Sequence, residues 1–185
     1  GEDYNHDGQF DFRSTIEGGD INGIDDDANG YIDDIIGWDF VSYPQENVSP
    51  GEDGAPRDNN PSDFNGHGSH CSGIASGVTD NNIGIAGAGW GCKIMAVRAG
   101  FDSGGGGYLT YDDIVAGLYY AASMEADVIS MSFGGSSYSQ AELDAINFAF
   151  AHGVVLVAAA GNSGQERGSF PGAFDNVIGV AATDI

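Results

Sequence analysis

Residues Val154-Val155-Leu156-Val157-Ala158-Ala159-Ala160 form an unbroken apolar run between two glycines, Gly153 and Gly161. A short apolar run with this content of valine and this punctuation indicates a β-strand buried on both faces, which is typical of parallel sheets. A second apolar run, Val177–Ala182, predicts a neighbouring strand. The sheet that contains these strands is therefore expected to form the centre of the fold.

Upstream of this strand, helical and extended patterns alternate. Strands are predicted over Lys93–Arg98 and Asp127–Phe133, and helices over Tyr111–Met124, with Thr110 as the cap, and Ser139–His152. Strands that alternate with helices favour an α/β fold with a parallel sheet and right-handed crossovers. In such sheets, ligands bind beyond the carboxyl ends of the strands, so the functional residues are expected there.

The densest signal for chemistry is Asn65-Gly66-His67-Gly68-Ser69-His70-Cys71-Ser72-Gly73-Ile74-Ala75. It reads as a turn into a helix of small residues, which suits central burial. His67 lies at the start of this helix, where an imidazole could act as a general base because it titrates near neutral pH. Two alternatives stay open: His67 could cap the helix, or it could bind zinc with His70 and Cys71, although no further Cys or His cluster completes four ligands.

The segment from Gly66 to Ala75 resembles the histidine motif of the subtilisin-like serine protease family, the subtilases, in the cysteine-containing variant of the proteinase K group. Further segments resemble family motifs in the same order: Asn81–Gly87, Ala96–Arg98, Ile129–Gly135, Ala158–Gly164 and Phe170–Val180. The resemblance implies an incomplete α/β fold with three layers, in which helices cover both faces of a mostly parallel sheet.

Asn162 follows the apolar strand directly and lies between Gly161 and Ser163. A side-chain amide at the end of a strand can donate a hydrogen bond to the oxyanion of an acyl-transfer reaction. Alternatively, Asn162 could simply provide a turn, because asparagine tolerates the left-handed conformation. The resemblance implies the first role, with His67 as general base and His70 as a structural residue.

The resemblance also implies a groove for an extended peptide. Ser132-Phe133-Gly134 resembles one backbone edge of such a groove, and Gly107-Tyr108-Leu109 resembles the opposing edge. Gly134 and Ala160-Gly161 would keep the primary specificity pocket open to substrate side chains. Phe133 replaces the more usual leucine, so the sequence does not define the specificity. The run Gly104–Gly107 could also be a flexible loop without a contact role.

Two acidic stretches near the amino terminus place oxygen-bearing side chains at alternate positions, with glycine at the sixth. This alternation is typical of loops that wrap around a calcium ion, although neither stretch has the glutamate at position 12 of a complete EF-hand. The alternative is a solvated acidic surface. The predicted calcium ligands are Asp3, Asn5, Asp7 and Asp11 in the first stretch, and Asp25, Asp27, Asn29, Asp33 and Asp34 in the second.

Charge excludes several classes of partner. The 185 residues carry a net charge of −23, and 17 of the 28 acidic residues fall within residues 1–63. Nucleic acids and anionic membranes would be repelled, and no apolar run approaches the ~20 residues of a membrane span.

Residues 1–64 are interpreted as an acidic calcium-loop region and residues 65–185 as the α/β core of the same peptidase domain. Cys71 and Cys92 are expected to be free and buried.

Two parts of the subtilase catalytic machinery have no counterpart in the chain. The aspartate motif would precede Gly1 and the Gly-Thr-Ser motif of the nucleophile would follow Ile185, and no Gly-Thr-Ser occurs. The chain is therefore interpreted as a serine endopeptidase fragment, inactive alone, to which missing segments or a second polypeptide would supply Ser and Asp for the cleavage of peptides or proteins. The alternative is a non-catalytic, calcium-ordered binding or scaffold domain. Family habit and the calcium loops favour an extracellular or cell-surface location.

Overall fold

The computed structural model describes residues 21–164 and 168–183, so the predicted ligands Asp3, Asn5, Asp7 and Asp11 lie outside the described residues. Within these ranges the chain forms three α-helices, seven β-strands and a short 3-10 helix, Gln45–Asn47. The α-helices are α1 (His67–Ser76), α2 (Tyr111–Ser123) and α3 (Gln140–Ala151). The strands are β1 (Gly37–Asp39), β2 (Ala96–Arg98), β3 (Gly100–Ser103), β4 (Gly106–Leu109), β5 (Val128–Met131), β6 (Val155–Ala159) and β7 (Val177–Val180).

The strands form three small sheets in the described part of the chain. β5, β6 and β7 are parallel and lie in that order, with Met131 opposite Ala158 and Ala158 opposite Gly179. β1 and β2 form a parallel pair, and β3 and β4 form an antiparallel hairpin. The mostly parallel pairing predicted from the strand and helix pattern is confirmed.

Local signals define both predicted helices. The Thr110 side chain accepts a hydrogen bond from the Asp113 amide at the start of α2, and the Ser139 side chain accepts one from the Glu142 amide at the start of α3. Gly153, with φ of 86°, lies just past the end of α3. Thr110 therefore caps its helix as predicted, and Gly153 lies at the predicted stop.

The two helices pack against each other and against one face of the β5–β6–β7 sheet. α2 also lies against β2, where a side chain at Gly117 would come 2.7 Å from Val97 Cγ1. This helix therefore joins the β1–β2 pair to the larger sheet. The shared core consists of Ile114, Leu118, Ala122, Met131, Ala145, Ile146, Ala149, Val154, Leu156, Ala158 and Phe174.

Three predictions of burial are wrong. Leu156 is 1% exposed but its neighbour Val155 is 46% exposed, so β6 is buried on one face only. Helix α1 has no buried residue, although its small side chains suit a central position. Cys71 and Cys92 are free as predicted, but Cys71 is only partly buried and Cys92 is exposed. The common reason is that no described segment covers these surfaces.

The described helices do not include one with the length and apolarity that crossing a bilayer requires. The division at residue 64 stays a prediction.

Candidate active site

His67 is the first residue of α1, and its position follows from the turn before it. Gly66 adopts the left-handed conformation with φ of 88°, which glycine reaches without strain. The Asp63 carboxylate accepts hydrogen bonds from the Gly66 amide at 2.8 Å and from the Ser69 amide at 2.7 Å. Partial burial opposes ionisation of Asp63, but these amide donors keep its pKa below the usual range. The turn that presents His67 is thus fixed by a carboxylate four residues upstream.

The His67 imidazole is exposed, and no hydrogen bond to it is found among the described residues. The zinc alternative gains no support. In the described residues, the one group of His, Cys, Asp or Glu side chains spaced closely enough to hold a metal ion is Asp39, Asp53 and Asp58, which does not include His67. Asp39 already accepts from the Val41 amide and pairs with Arg98. Burial raises the pKa of Asp39 to about 6, against the opposing effects of that amide and of Arg98.

The carboxyl ends of β5 and β6 bring the predicted pocket residues together. Gly134 follows β5 and Gly161 follows β6, and both approach Ser169. A Cβ at Gly134 would lie 2.4 Å from Ser169 Oγ, and a Cβ at Gly161 would lie 3.1 Å from Ser169 Cβ. The backbone of Gly135 exchanges two hydrogen bonds of 2.9 Å with Phe170, which joins the two loops. Side chains larger than hydrogen at Gly134 would therefore collide with Ser169.

Sequence reasoning missed Ser169. Its place immediately before Phe170-Pro171-Gly172, a segment that resembles a family motif, is the signal that indicates it. Ser169 contacts Gly134, 35 residues earlier in the chain, and Gly161, 8 residues earlier. No periodic pattern in the sequence predicts these contacts.

A cavity of about 240 Å³ opens beside these strand ends. Its lining joins β5, β6 and β7 and includes the predicted substrate residue Ser132. The lining residues are Ser130, Met131, Ser132, Val157, Ala158, Ala159 and Val180. Ala160 follows directly, and its amide donates to the Val180 carbonyl at 2.8 Å.

Asn162 lies two residues after Ala160, and its side chain is exposed. No hydrogen bond to this side chain is found among the described residues. Its amide is therefore available as a donor at the strand edge. The His67 segment is attached elsewhere, to β3 through Asn65, whose side-chain nitrogen donates to Asp102 at 3.2 Å. The convergence of His67 and Asn162 on one substrate stays a prediction.

The second predicted substrate edge, Gly107-Tyr108, lies in β4. β4 pairs with β3, where Tyr108 is opposite Phe101 and Gly107 is opposite Asp102. Both Gly107 and Tyr108 are exposed. The Tyr108 ring stacks on the Phe101 ring with centroids 6.2 Å apart, so its position is supported from within the hairpin.

The second acidic stretch folds into a loop organised by its own carboxylates. Asp25 accepts from the amides of Asn29 at 3.0 Å and Gly30 at 2.8 Å, and Asp27 also accepts from Asn29, at 3.2 Å. The Asn29 side-chain nitrogen donates to Asp34 at 3.2 Å. The structure therefore brings four of the predicted ligands into one loop.

Asp33 and Asp34 are buried and are used in other contacts. The two oxygens of Asp33 accept the amides of Asn22 at 2.9 Å and Gly23 at 2.8 Å. Burial raises the pKa of Asp34, although hydrogen bonds from Tyr120 and Asn29 act in the opposite direction. No three carboxylates of this loop gather with metal-like spacing in the described residues. The chemistry of Asp25, Asp27 and Asn29 suits calcium, and calcium binding stays a prediction.

Known proteins are similar to this chain over most of its length. A sequence model described as "Subtilase family" matches residues 8–185. Thermitase of Thermoactinomyces vulgaris is 41% identical over 150 residues, which cover 81% of this chain and 48% of thermitase. Subtilisin DY of Bacillus licheniformis is 41% identical over 126 residues, which cover 66% of this chain and 44% of that protein.

Solved structures show the same relationship. The chain is similar to Sphericase, with a TM-score of 0.63 and 35% identity over 78% of this chain and 45% of that one. It is also similar to a protease from Pseudoalteromonas arctica PAMC 21717, with a TM-score of 0.65 and 30% identity over 80% of this chain and 50% of that one. The chain thus spans about half the length of these relatives or less. Its motifs, its incomplete α/β fold and these matches establish that the chain belongs to the subtilase family.

Proposed function

We propose that this chain forms part of the catalytic domain of a serine endopeptidase, in which His67 is the general base and Asn162 stabilises the oxyanion. The observation that carries the proposal is that Gly134 and Gly161 both pack against Ser169 at the carboxyl ends of β5 and β6. Asn162 is the residue directly after Gly161. Membership of the subtilase family supports the same reading.

The proposed reaction cleaves a peptide bond through an acyl-enzyme. A serine hydroxyl outside this chain attacks the carbonyl carbon while His67 takes its proton, and Asn162 donates to the carbonyl oxygen as it becomes negative. His67 then returns the proton to the leaving amine when the carbon–nitrogen bond breaks. In the second half of the cycle, water attacks the ester carbonyl carbon while His67 takes a water proton. His67 then returns this proton to the serine oxygen as the bond between that oxygen and the acyl carbon breaks. An aspartate, also outside the chain, would orient the imidazole.

The proposed substrate is a peptide or protein in extended conformation. Ser132-Phe133-Gly134 and Gly107-Tyr108-Leu109 would pair with its backbone, because an extended peptide can add to exposed strand edges. The side chain next to the cleaved bond would lie along the backbone of Gly134, Ala160 and Gly161, with Ser169 packed against the two glycines. Exposure of β4 supports this role.

The test measures peptide hydrolysis by the longer protein that contains this chain, and by the 185-residue chain alone. In the longer protein, His67→Ala should abolish turnover, and Asn162→Ala should lower kcat by about 10²–10³-fold, the loss caused by removing one oxyanion donor. His152→Ala is the matched control, since His152 lies exposed at the end of α3, where Nδ1 contacts the Phe148 carbonyl oxygen. Turnover by the isolated chain, or a longer protein that binds peptides without cleaving them, would contradict the proposal; the second result would favour a binding or scaffold domain.

We also propose that the Asp25–Asp34 loop binds calcium and that the protein acts outside the cell. Support comes from the cluster of Asp25, Asp27 and Asn29 in one loop. Calorimetry should detect calcium uptake, and a chelator should lower the melting temperature. Asp27→Asn should weaken that uptake, whereas Asp175→Asn, at an exposed site elsewhere, should not. Unchanged melting with chelator would mean that the loop is an ordinary acidic surface.

A further inference from the structure

The segment that carries His67 makes a side-chain contact with the β3–β4 hairpin. Asn65 lies two residues before His67, and its Nδ2 donates a hydrogen bond to Asp102 Oδ2 at 3.2 Å. The same nitrogen lies beside the exposed strand β4, since a Cβ at Gly107 would be 3.7 Å from it. Asn65 thus bonds to β3 and lies beside β4, the strand that presents Gly107 and Tyr108.

Asp102 is a buried acceptor with a second, independent donor. Its Oδ1 accepts from Ser49 Oγ at 2.5 Å, and its carbonyl oxygen accepts from the Ser49 amide at 2.9 Å. The hydrogen bonds from Ser49 and Asn65 keep the pKa of Asp102 below its ordinary value. The carboxylate that receives Asn65 is therefore ionised at neutral pH and fixed on its other side.

A network of buried charges connects Asp102 to the β1–β2 pair. The Asp102 amide approaches Glu52 Oε2 at 3.4 Å, and Glu52 Oε1 pairs with Arg98 on β2. Arg98 also pairs with Asp39 on β1, and its side chain is 7% exposed. Buried, fully paired charges restrict side-chain motion. Asp102 therefore provides a rigid attachment point for the otherwise exposed His67 segment.

The His67 segment needs such a point because it is flexible by composition. Gly66 and Gly68 flank His67, and glycine gives the backbone the widest choice of conformation. Asp63 fixes the turn internally through Gly66 and Ser69, but all these residues are local. The bond from Asn65 to Asp102 joins residues 37 apart and so fixes where the whole turn lies.

We propose that Asn65 and Asp102 are positioning residues that set the His67 imidazole against the β4 substrate edge. This inference rests on the proposed function. A displacement of the base by about 1 Å can cost ~10²-fold in rate, so loss of the link is expected to appear in kcat. Neither residue contacts the reacting atoms in this proposal.

The decisive experiment exchanges the two side chains. Asn65→Asp places two carboxylates against each other, and in the longer, active protein kcat should fall about 10–100-fold with a change in KM below about threefold. The double variant Asn65→Asp/Asp102→Asn restores one donor and one acceptor in the opposite direction, and kcat should recover to within about threefold. Asn60→Asp, which adds the same charge five residues earlier while its Oδ1 still accepts from Ser62, should leave kcat unchanged.

A second measurement on the 185-residue chain separates this inference from the proposed function. Amide hydrogen exchange at residues 66–69 should rise about tenfold in Asn65→Asp and return in the double variant. If exchange responds in this way but no variant hydrolyses peptides, the link stands and the proposed function fails. If Asn65→Asp leaves both kcat and exchange unchanged, or if the double variant is no better than the single one, the positioning role is overturned. Should Asn65→Asp unfold, Asn65→Ala removes the donor without added charge, and an unchanged kcat in that variant also overturns the role.

Discussion

Tyr120 Oη donates a hydrogen bond of 2.7 Å to Asp34 Oδ2, and this bond joins the acidic loop to helix α2. Both side chains are buried. The Tyr120 ring also packs edge-on against Tyr31, with centroids 4.7 Å apart. The loop predicted to bind calcium is therefore attached to the core by a specific polar contact.

Tyr120→Phe should destabilise the fold because it leaves the buried Asp34 carboxylate without its phenolic donor. Loss of one hydrogen bond to a buried charge costs about 1.5–3 kcal/mol, and each kcal/mol shifts Tm by about 2–4 °C in a domain of this size. Thermal unfolding by circular dichroism measures the change. Tyr119→Phe is the control, since the exposed Tyr119 contacts Phe148 only through its ring. Equal melting of both variants would show that the hydroxyl contributes nothing.

Glu142 offers a test of a buried carboxyl group with an unpaired oxygen. It is 1% exposed, and its Oε2 has no hydrogen-bond partner among the described residues. Burial raises the pKa of Glu142 above its ordinary value of 4.5. The folded chain therefore binds a proton more tightly than the unfolded chain, so this group's contribution to stability is full below pH 4.5 and is lost as pH rises through the raised pKa.

Glu142→Gln removes the ionisation and should stabilise the protein at pH 7 by about 1 kcal/mol, with little effect below the ordinary pKa. Urea unfolding at several pH values measures this difference. Glu46→Gln, on the exposed 3-10 helix, controls for the change in net charge. A Glu142→Gln variant less stable than the wild type at pH 7 would contradict the expectation.

Sequence reasoning succeeded where structure depends on neighbours along the chain. Thr110, Ser139 and Gly153 cap or end helices through contacts within a few residues, so their types alone define the helix limits. The glycines after β5 and β6 were found because they belong to recognised motifs. Ser169 and the bond from Asn65 to Asp102 depend on loops that meet only in three dimensions. The predicted burial of β6 is too high. An apolar run shows that both faces of a strand are suited to burial, but it does not show whether another segment packs on each face.

Acidification should loosen the turn that presents His67. The folded-state pKa of Asp63 is lowered, since the amide donors outweigh its partial burial. A lowered pKa means that the contribution of Asp63 is present above its ordinary value of 3.8 and is lost as pH falls through the folded value. Amide exchange at Gly66 and Ser69, corrected for intrinsic rates, should therefore accelerate below about pH 4. In Asp63→Asn this step should be absent and exchange should already be faster at pH 7; a step of equal size in the variant would assign the effect to another group.

The uncovered face of the β5–β6–β7 sheet should make the isolated chain bind apolar probes. Val128 is opposite Val155, and Val157 is opposite Ile178, so their side chains share the face that α2 and α3 leave open. Exposed apolar surfaces of this kind mark interaction sites or aggregation hazards. The chain should therefore increase the fluorescence of 1-anilinonaphthalene-8-sulfonate.

Val155→Thr/Ile178→Thr should lower that fluorescence by about half with a shift in Tm below about 2 °C, because threonine keeps strand propensity and surface substitutions are usually near neutral. Leu156→Ala is the matched change on the opposite, buried face, and should cost about 2–5 kcal/mol. If the double threonine variant binds the probe as strongly as the wild type, the probe site lies elsewhere. If the variant unfolds, Val155 and Ile178 must be buried in solution, because substitutions of exposed side chains are usually near neutral.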